Sequence, residues 1–160
     1  MMIDTSAPTE PVRKSVHVAC DVERAFRVFV EEFDAWWPVE LLSRTADAQY
    51  APGVTLERLV FEPRVGGRIY EVNSEGVEGS WAEVLVFEPP ERFILAWKPN
   101  DRPEPPTEVE IRFEPDGDGT LVQLEHRGWE RLGERAEEAR GAHAQGWVVP
   151  LERFAAAVAG

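Results

Sequence analysis

The spacing of apolar residues changes period three times along the chain, and each change predicts a new kind of element. From Val12, the run VRKSVHVA sets Val12, Lys14, Val16 and Val18 on one face, with His17 between apolar positions, which predicts a strand with one covered side. Asp21 then precedes Val22, Ala25, Phe26, Phe29, Val30, Phe33 and Trp37, a stripe at helical spacing behind a residue suited to cap it. Pro38 ends that helix, because the residue before a proline is pushed out of the helical region. A looser segment with room for a short helix runs to about Ala51.

After Gly53 the pattern shortens to apolar or alternating runs at 54–62, 67–74, 77–88, 91–98, 107–115 and 119–127. Turn-forming sequences separate them, including Gly66-Gly67, Glu75-Gly76, Pro89-Pro90 and Asp116 to Gly119, so six strands joined mostly as antiparallel hairpins are expected. The proline-rich 99–106 is read as an exposed loop. From about Arg131 the helical period returns, with Ala136, Ala139, His143, Trp147, Leu151, Phe154 and Val158 along one side. Pro150 lies inside this last helix and cannot donate to the carbonyl of Gly146, so a kink is expected there.

An antiparallel sheet followed by a long helix is an α+β arrangement, since the helices must cover the sheet's apolar face. The length of 160 residues suits one domain. We read 1–11, which contains Pro8 and Pro11, as a disordered lead-in, and 12–160 as a single domain.

Composition narrows the function classes. Seventeen basic against thirty acidic residues give a formal net charge of −13, which repels nucleic acid and anionic membrane surfaces. No apolar run approaches the roughly 18 residues needed to span a bilayer. The single cysteine, Cys20, and the absence of a basic-then-apolar leader in MMIDTSAPTEPVRK lead to the expectation of a cytoplasmic protein without disulfides.

Four blocks carry a family resemblance: FEPRVGGRIYEV (61–72), VFEPPERFILAW (86–97), GTLVQLEHRGW (119–129) and GWVVPLERF (146–154). In this order they resemble the SRPBCC, or START-like, superfamily, and most nearly its branch related to the activator of heat-shock protein 90 ATPase. The likeness covers about residues 12–158. It implies a helix-grip (START-like) fold: a curved antiparallel β-sheet of 6–7 strands wrapped around a long C-terminal helix, with one or two short helices between strands 1 and 2. It also implies a cavity between sheet and helix. Similar proteins include lipid and hormone carriers, aromatases and cochaperones acting in stress responses. Many relatives carry glycine near Ala82 and an unbroken helix at Pro150, so the chain departs from the pattern at both positions.

Six tryptophans are a high load, and Trp37, Trp81, Trp97 and Trp147 lie in elements expected to face inward. They either line a cavity for a flat, greasy ligand or fill an ordinary core. Strand alternation sets Phe93, Leu95 and Trp97 on one face, and Val122, Leu124 and His126 on another, which makes His126 the best candidate for a polar group inside. His143, one turn before Trp147, approaches from the opposite wall. Arg68 shares a face with Tyr70 and Val72, and Glu83 with Trp81 and Leu85. Interior positions would oblige that guanidinium and carboxylate to find each other or a ligand; exterior ones make them surface charges.

The ligand-binding set is therefore Trp37, Tyr70, Trp81, Trp97, His126, His143 and Trp147. No catalytic residue, metal ligand or cofactor is assigned, since the sequence shows no phosphate loop, no nucleophile motif and no metal-ligand spacing. The leading expectation is a small hydrophobic or aromatic ligand. The alternatives are a module docking on a chaperone or other protein, and a cyclase or aromatase using His126 and Glu83. Monomer and homodimer both stay open.

Overall fold

The computed structural model describes residues 9–47, 49–99 and 102–160. Most of the expected lead-in at 1–11 falls outside them. Its last residues are tied down, with Arg140 Nε donating to the Glu10 carbonyl at 2.6 Å.

Seven strands form one antiparallel sheet: Val12–Val18 (β1), Leu56–Phe61 (β2), Arg68–Asn73 (β3), Glu78–Glu88 (β4), Arg92–Trp97 (β5), Thr107–Asp116 (β6) and Gly119–Arg127 (β7). Their spatial order is β1-β7-β6-β5-β4-β3-β2, so the six later strands form a meander that β1 extends at one end. Gly66-Gly67 makes one of the reversals for two different reasons. Gly66 sits at φ +83, where other residues are strained, and a side chain at Gly67 would meet the Glu62 carbonyl at 2.5 Å.

Val22–Glu31 (α1) begins as expected, with the Arg24 N–H bonded to Asp21 Oδ1 at 2.9 Å. The single helix anticipated through Trp37 is instead broken at Glu32 (φ −110, ψ 25), and Phe33–Trp36 (α2) continues at a new angle. The break lets Trp36 Nε1 reach back to the Val28 carbonyl at 3.1 Å and satisfies a buried indole within the apolar stripe. Val39–Leu42 (α3) is the short helix of the looser segment.

The C-terminal run comprises a 3-10 segment, Trp129–Arg135, then Ala136–Gly146 (α4) and Val148–Ala159 (α5). The division between α4 and α5 falls at Trp147, one residue past Gly146, whose carbonyl Pro150 cannot serve. The curled sheet closing on this helical run is the helix-grip fold.

Two aromatic regions lie between sheet and helices. Phe26 and Phe29 of α1 meet Phe93, Phe113 and Phe154 at centroid distances of 4.9–5.9 Å in edge-on or tilted pairs. Phe93 and Phe154 have no exposure at all. Trp36 also packs there, against Phe29 and Phe154, whereas Trp37, Trp81, Trp97 and Trp147 occupy the other region, toward β4, β5 and α4.

Outward, the sheet carries an ionic lattice. Glu110 is nearly buried between Arg92, Arg112 and Arg127, at 3.1, 2.7 and 2.7 Å. Burial alone would raise its carboxyl, but hydrogen bonds from the three guanidinium groups bring its pKa down to about 2. Diagonal pairing across the strands thus offsets the like charges that face each other at Arg92–Arg112 and Glu110–Glu125.

Candidate functional site

The tryptophan region forms because two strands and two helical segments each contribute one large ring. Trp81 enters from β4, Trp97 from β5, Trp37 from the end of α2 and Trp147 from the junction of α4 and α5. Trp97 lies 5.1 Å from Trp147 and 5.7 Å from Trp81, and Trp37 stands 5.5–6.2 Å from all three. Each is at most 6% exposed.

Between them opens a cleft of about 150 Å³, whose remaining wall is Leu42 of α3 with Ala142, His143 and Gly146 of α4. Small residues one turn apart on α4 are what leave the space: a Cβ added at Gly146 would touch nothing within 4 Å. His143 is the one titratable side chain in this wall.

A buried indole N–H calls for an acceptor, and for Trp81, Trp97, Trp129 and Trp147 this dictates the polar partners around the site. Trp147 Nε1 donates to His126 Nδ1 at 3.0 Å. The neutral His126 ring therefore carries its proton on Nε2 and donates to Thr107 Oγ1 at 2.8 Å. Trp97 Nε1 donates to His143 Nε2 at 3.2 Å, so His143 carries its proton on Nδ1 and donates to the Ala139 carbonyl at 2.9 Å. Trp129 Nε1 reaches the His126 carbonyl at 2.9 Å.

Both histidines are held neutral. Burial lowers the His126 pKa well below the usual value, with His143 as a second cause. His143 is also lowered, first by burial and then by Arg135, against the opposing bond to Ala139. A proton added to either ring would turn an acceptor into a donor pointing at an indole N–H.

The fourth donor, Trp81 Nε1, goes to Glu71 Oε1 at 2.8 Å. Glu71 is 1% exposed; Ser43 Oγ, the Arg44 N–H, the Thr45 N–H and Thr45 Oγ1 also donate to it, at 2.6–3.0 Å. Burial pushes its carboxyl up, yet these hydrogen bonds outweigh that and hold it below the ordinary range. The carboxylate pins the chain following Leu42 to the sheet and holds Trp81 in place.

Of the residues expected at the site, the structure brings together Trp37, Trp81, Trp97, His143 and Trp147. His126 lies one layer deeper, fully buried, with both ring nitrogens engaged. Tyr70 does not join them: it faces outward, with the Arg68 guanidinium 4.3 Å from its ring centre. Arg68 and Glu83 are likewise exposed on the outer face, where Arg68 pairs with Glu78 at 3.2 Å. The expectation that His126 and Glu83 share one cavity is thereby corrected.

A bulge explains the error at Glu83. Ile69 pairs with Ala82 while Tyr70 pairs with Ser80, leaving Trp81 as an extra residue that turns inward beside Ala82, so that Glu83 and Leu85 beyond it face out. The functional residue missed from sequence is Glu71, although one signal was present: a carboxylate alternating with Ile69 and Asn73.

Among the described residues, no group of three or more His, Cys, Asp or Glu side chains is arranged to hold a metal ion. Nor is any helix among them long and apolar enough to cross a membrane.

Comparison with known proteins places this geometry. An anthrahydroquino-γ-pyrone synthase, solved as a complex, is 31% identical over 95% of this chain and 99% of its own, with a TM-score of 0.60. The self-sacrificing resistance protein CalC from Micromonospora echinospora is 27% identical over 95% and 96%, with a TM-score of 0.68. The Aha1 dimer from Colwellia psychrerythraea shares the fold at 14% identity over 92% and 95%, with a TM-score of 0.59. No curated protein matches the chain. The family model for activator of Hsp90 ATPase homolog 1-like proteins matches residues 19–159, and the chain belongs to that family.

Proposed function

We propose that the protein binds a small planar aromatic molecule by inserting one ring among Trp37, Trp81, Trp97 and Trp147. The observation that carries this reading is the convergence of four indoles on an open cleft whose wall offers a single titratable side chain. Flat apolar surfaces at centroid distances of 5.1–6.2 Å suit edge-on and offset contacts with a further ring.

Size sets the scale of the guest. An apolar cavity of about 150 Å³ accommodates a benzene-sized molecule, so a larger polycyclic compound would insert one edge and leave the rest at the mouth. The 31%-identical synthase supports a ligand with aromatic character.

The test is a titration with indane, followed by tryptophan fluorescence and by the indole N–H signals in NMR. Saturable binding is expected in the natural protein. Gly146→Leu, which fills the cleft from α4, should remove it while the fold is retained. Unchanged binding in that variant would reject the site.

A second reading, a synthase acting on such a molecule, is favoured by the same 31% identity. His143 would then be the group exchanging a proton with substrate, and turnover lost in His143→Gln with binding retained would favour it. The reading as a chaperone-docking module rests on the family's name and on a structure 14% identical.

A further inference from the structure

Five of the six indole N–H groups have a protein acceptor: those of Trp36, Trp81, Trp97, Trp129 and Trp147. Trp37 is the exception, with no acceptor for Nε1 among the described residues. Yet it is only 5% exposed, and it lines the tryptophan cleft. Nor is its N–H sealed off, since the one buried polar side-chain atom without a partner among the described residues is Glu104 Oε2. Its donor therefore keeps an outlet although the ring around it is buried.

The ring is also held rigidly. Phe33 stacks on it at 5.0 Å and 26°, while Trp81, Trp97 and Trp147 meet it at steep angles. A fixed, unpaired donor on a ring that lines this cleft is a selective element, because a guest with a matching acceptor gains a bond there and one without it does not. The other donors of this cleft are occupied by Glu71 and the two histidines and cannot turn to a guest without losing those bonds.

We infer that the guest is a neutral planar aromatic carbonyl compound whose oxygen accepts the Trp37 Nε1 hydrogen. A carboxylate is disfavoured: Glu71, ionised and buried, lies behind Trp81, and no cation lines the cleft. This inference rests on the binding proposed above and adds the polar determinant to it.

The experiment compares 1-indanone with indane, which have closely similar carbon skeletons, in the natural protein and in Trp37→Phe. Both are titrated into protein labelled with ¹⁵N at the indoles. Indanone, and not indane, should move the Trp37 N–H proton downfield in the natural protein. Trp37→Phe should weaken indanone about fivefold, the effect of one neutral hydrogen bond of about 1 kcal/mol, and leave indane within about twofold. Equal weakening of the two compounds, or none, would overturn the inference while leaving the cleft as a binding site, as would identical Trp37 N–H shifts with both. If neither compound binds the natural protein, the cleft itself is rejected and the inference with it. Should Trp37→Phe fail to fold, the two Trp37 N–H shifts in the natural protein still decide the question.

Discussion

The phenylalanine and tryptophan regions lie side by side under one sheet, and both are built from large aromatic rings, but they differ in what their rings demand. A phenylalanine asks only for volume and contact. Phe26, Phe29, Phe93, Phe113 and Phe154 accordingly interlock without any polar partner and leave Phe93 and Phe154 with no exposure. An indole asks for volume and an acceptor. The tryptophan region therefore had to recruit Glu71, Thr107, His126 and His143 into the interior, and its rings are placed by hydrogen bonds as well as by packing. A core placed by directional bonds can keep a cleft open that a purely dispersive core would close.

The largest effect should come from breaking the phenylalanine side. Phe93→Ala removes a ring that touches Phe26, Phe29, Phe61 and Phe113, and should cost about 4 kcal/mol in denaturant unfolding. In the surviving folded fraction, ligand affinity at the tryptophan cleft should be unchanged.

Next is the anchor of the tryptophan side. Glu71→Ala strips five donors of their acceptor and should cost about 3 kcal/mol. Unlike Phe93→Ala, it should also weaken the ligand, because Trp81 and the segment after Leu42 lose their fixed positions. Glu71 titrates below its ordinary value in the folded state, so its contribution is present above about pH 4.5 and is lost as pH falls further. Glu110 on the outer face adds to the same acid loss between 4.5 and its folded value of about 2.

A moderate effect separates the regions by pH. The unfolded chain takes up protons on His126 and His143 near pH 6.5, while the folded chain holds both neutral. Stability is thus fully present above pH 6.5 and declines as pH drops toward the lowered folded values. Unfolding midpoints measured from pH 7.5 to 5 should fall, and His126→Asn, although destabilised at pH 7.5, should show a shallower fall.

The smallest effect is expected at the rim, where Arg153 of α5 pairs with Glu40 of α3 across exposed surface. Arg153→Met should leave the unfolding midpoint and the ligand affinity unresolved from the natural protein, as is usual for such pairs.

These contrasts also show which parts of the molecule were legible in the sequence. The element order, the Asp21 cap and the inward faces of β5 and β7 follow from periodicity, because packing against one side imposes it directly. What periodicity could not supply was which face of β3 is covered, and the phase of β4. A bulge adds one residue to a strand without any fixed sequence mark, and beyond it in β4 the inward and outward sets exchange. In β3 the residues Ile69, Glu71 and Asn73 share the covered face, but nothing in RIYEVN marks that face, so Tyr70 is expected at the site and Glu71, the polar partner of Trp81, is missed. The break at Glu32 escaped for a related reason: the apolar stripe continues across it, and only the reach of Trp36 Nε1 to Val28 shows why the helix turns.

The central claim is that the tryptophan region accepts an aromatic ring and the phenylalanine region does not. Diffraction from a crystal soaked in iodobenzene, read as anomalous signal from iodine, tests it most directly. An iodine peak bounded by Trp37, Trp81, Trp97 and Trp147 is the predicted result. A cleft without such a peak, or iodine lodged among Phe26, Phe93 and Phe113, would contradict the account.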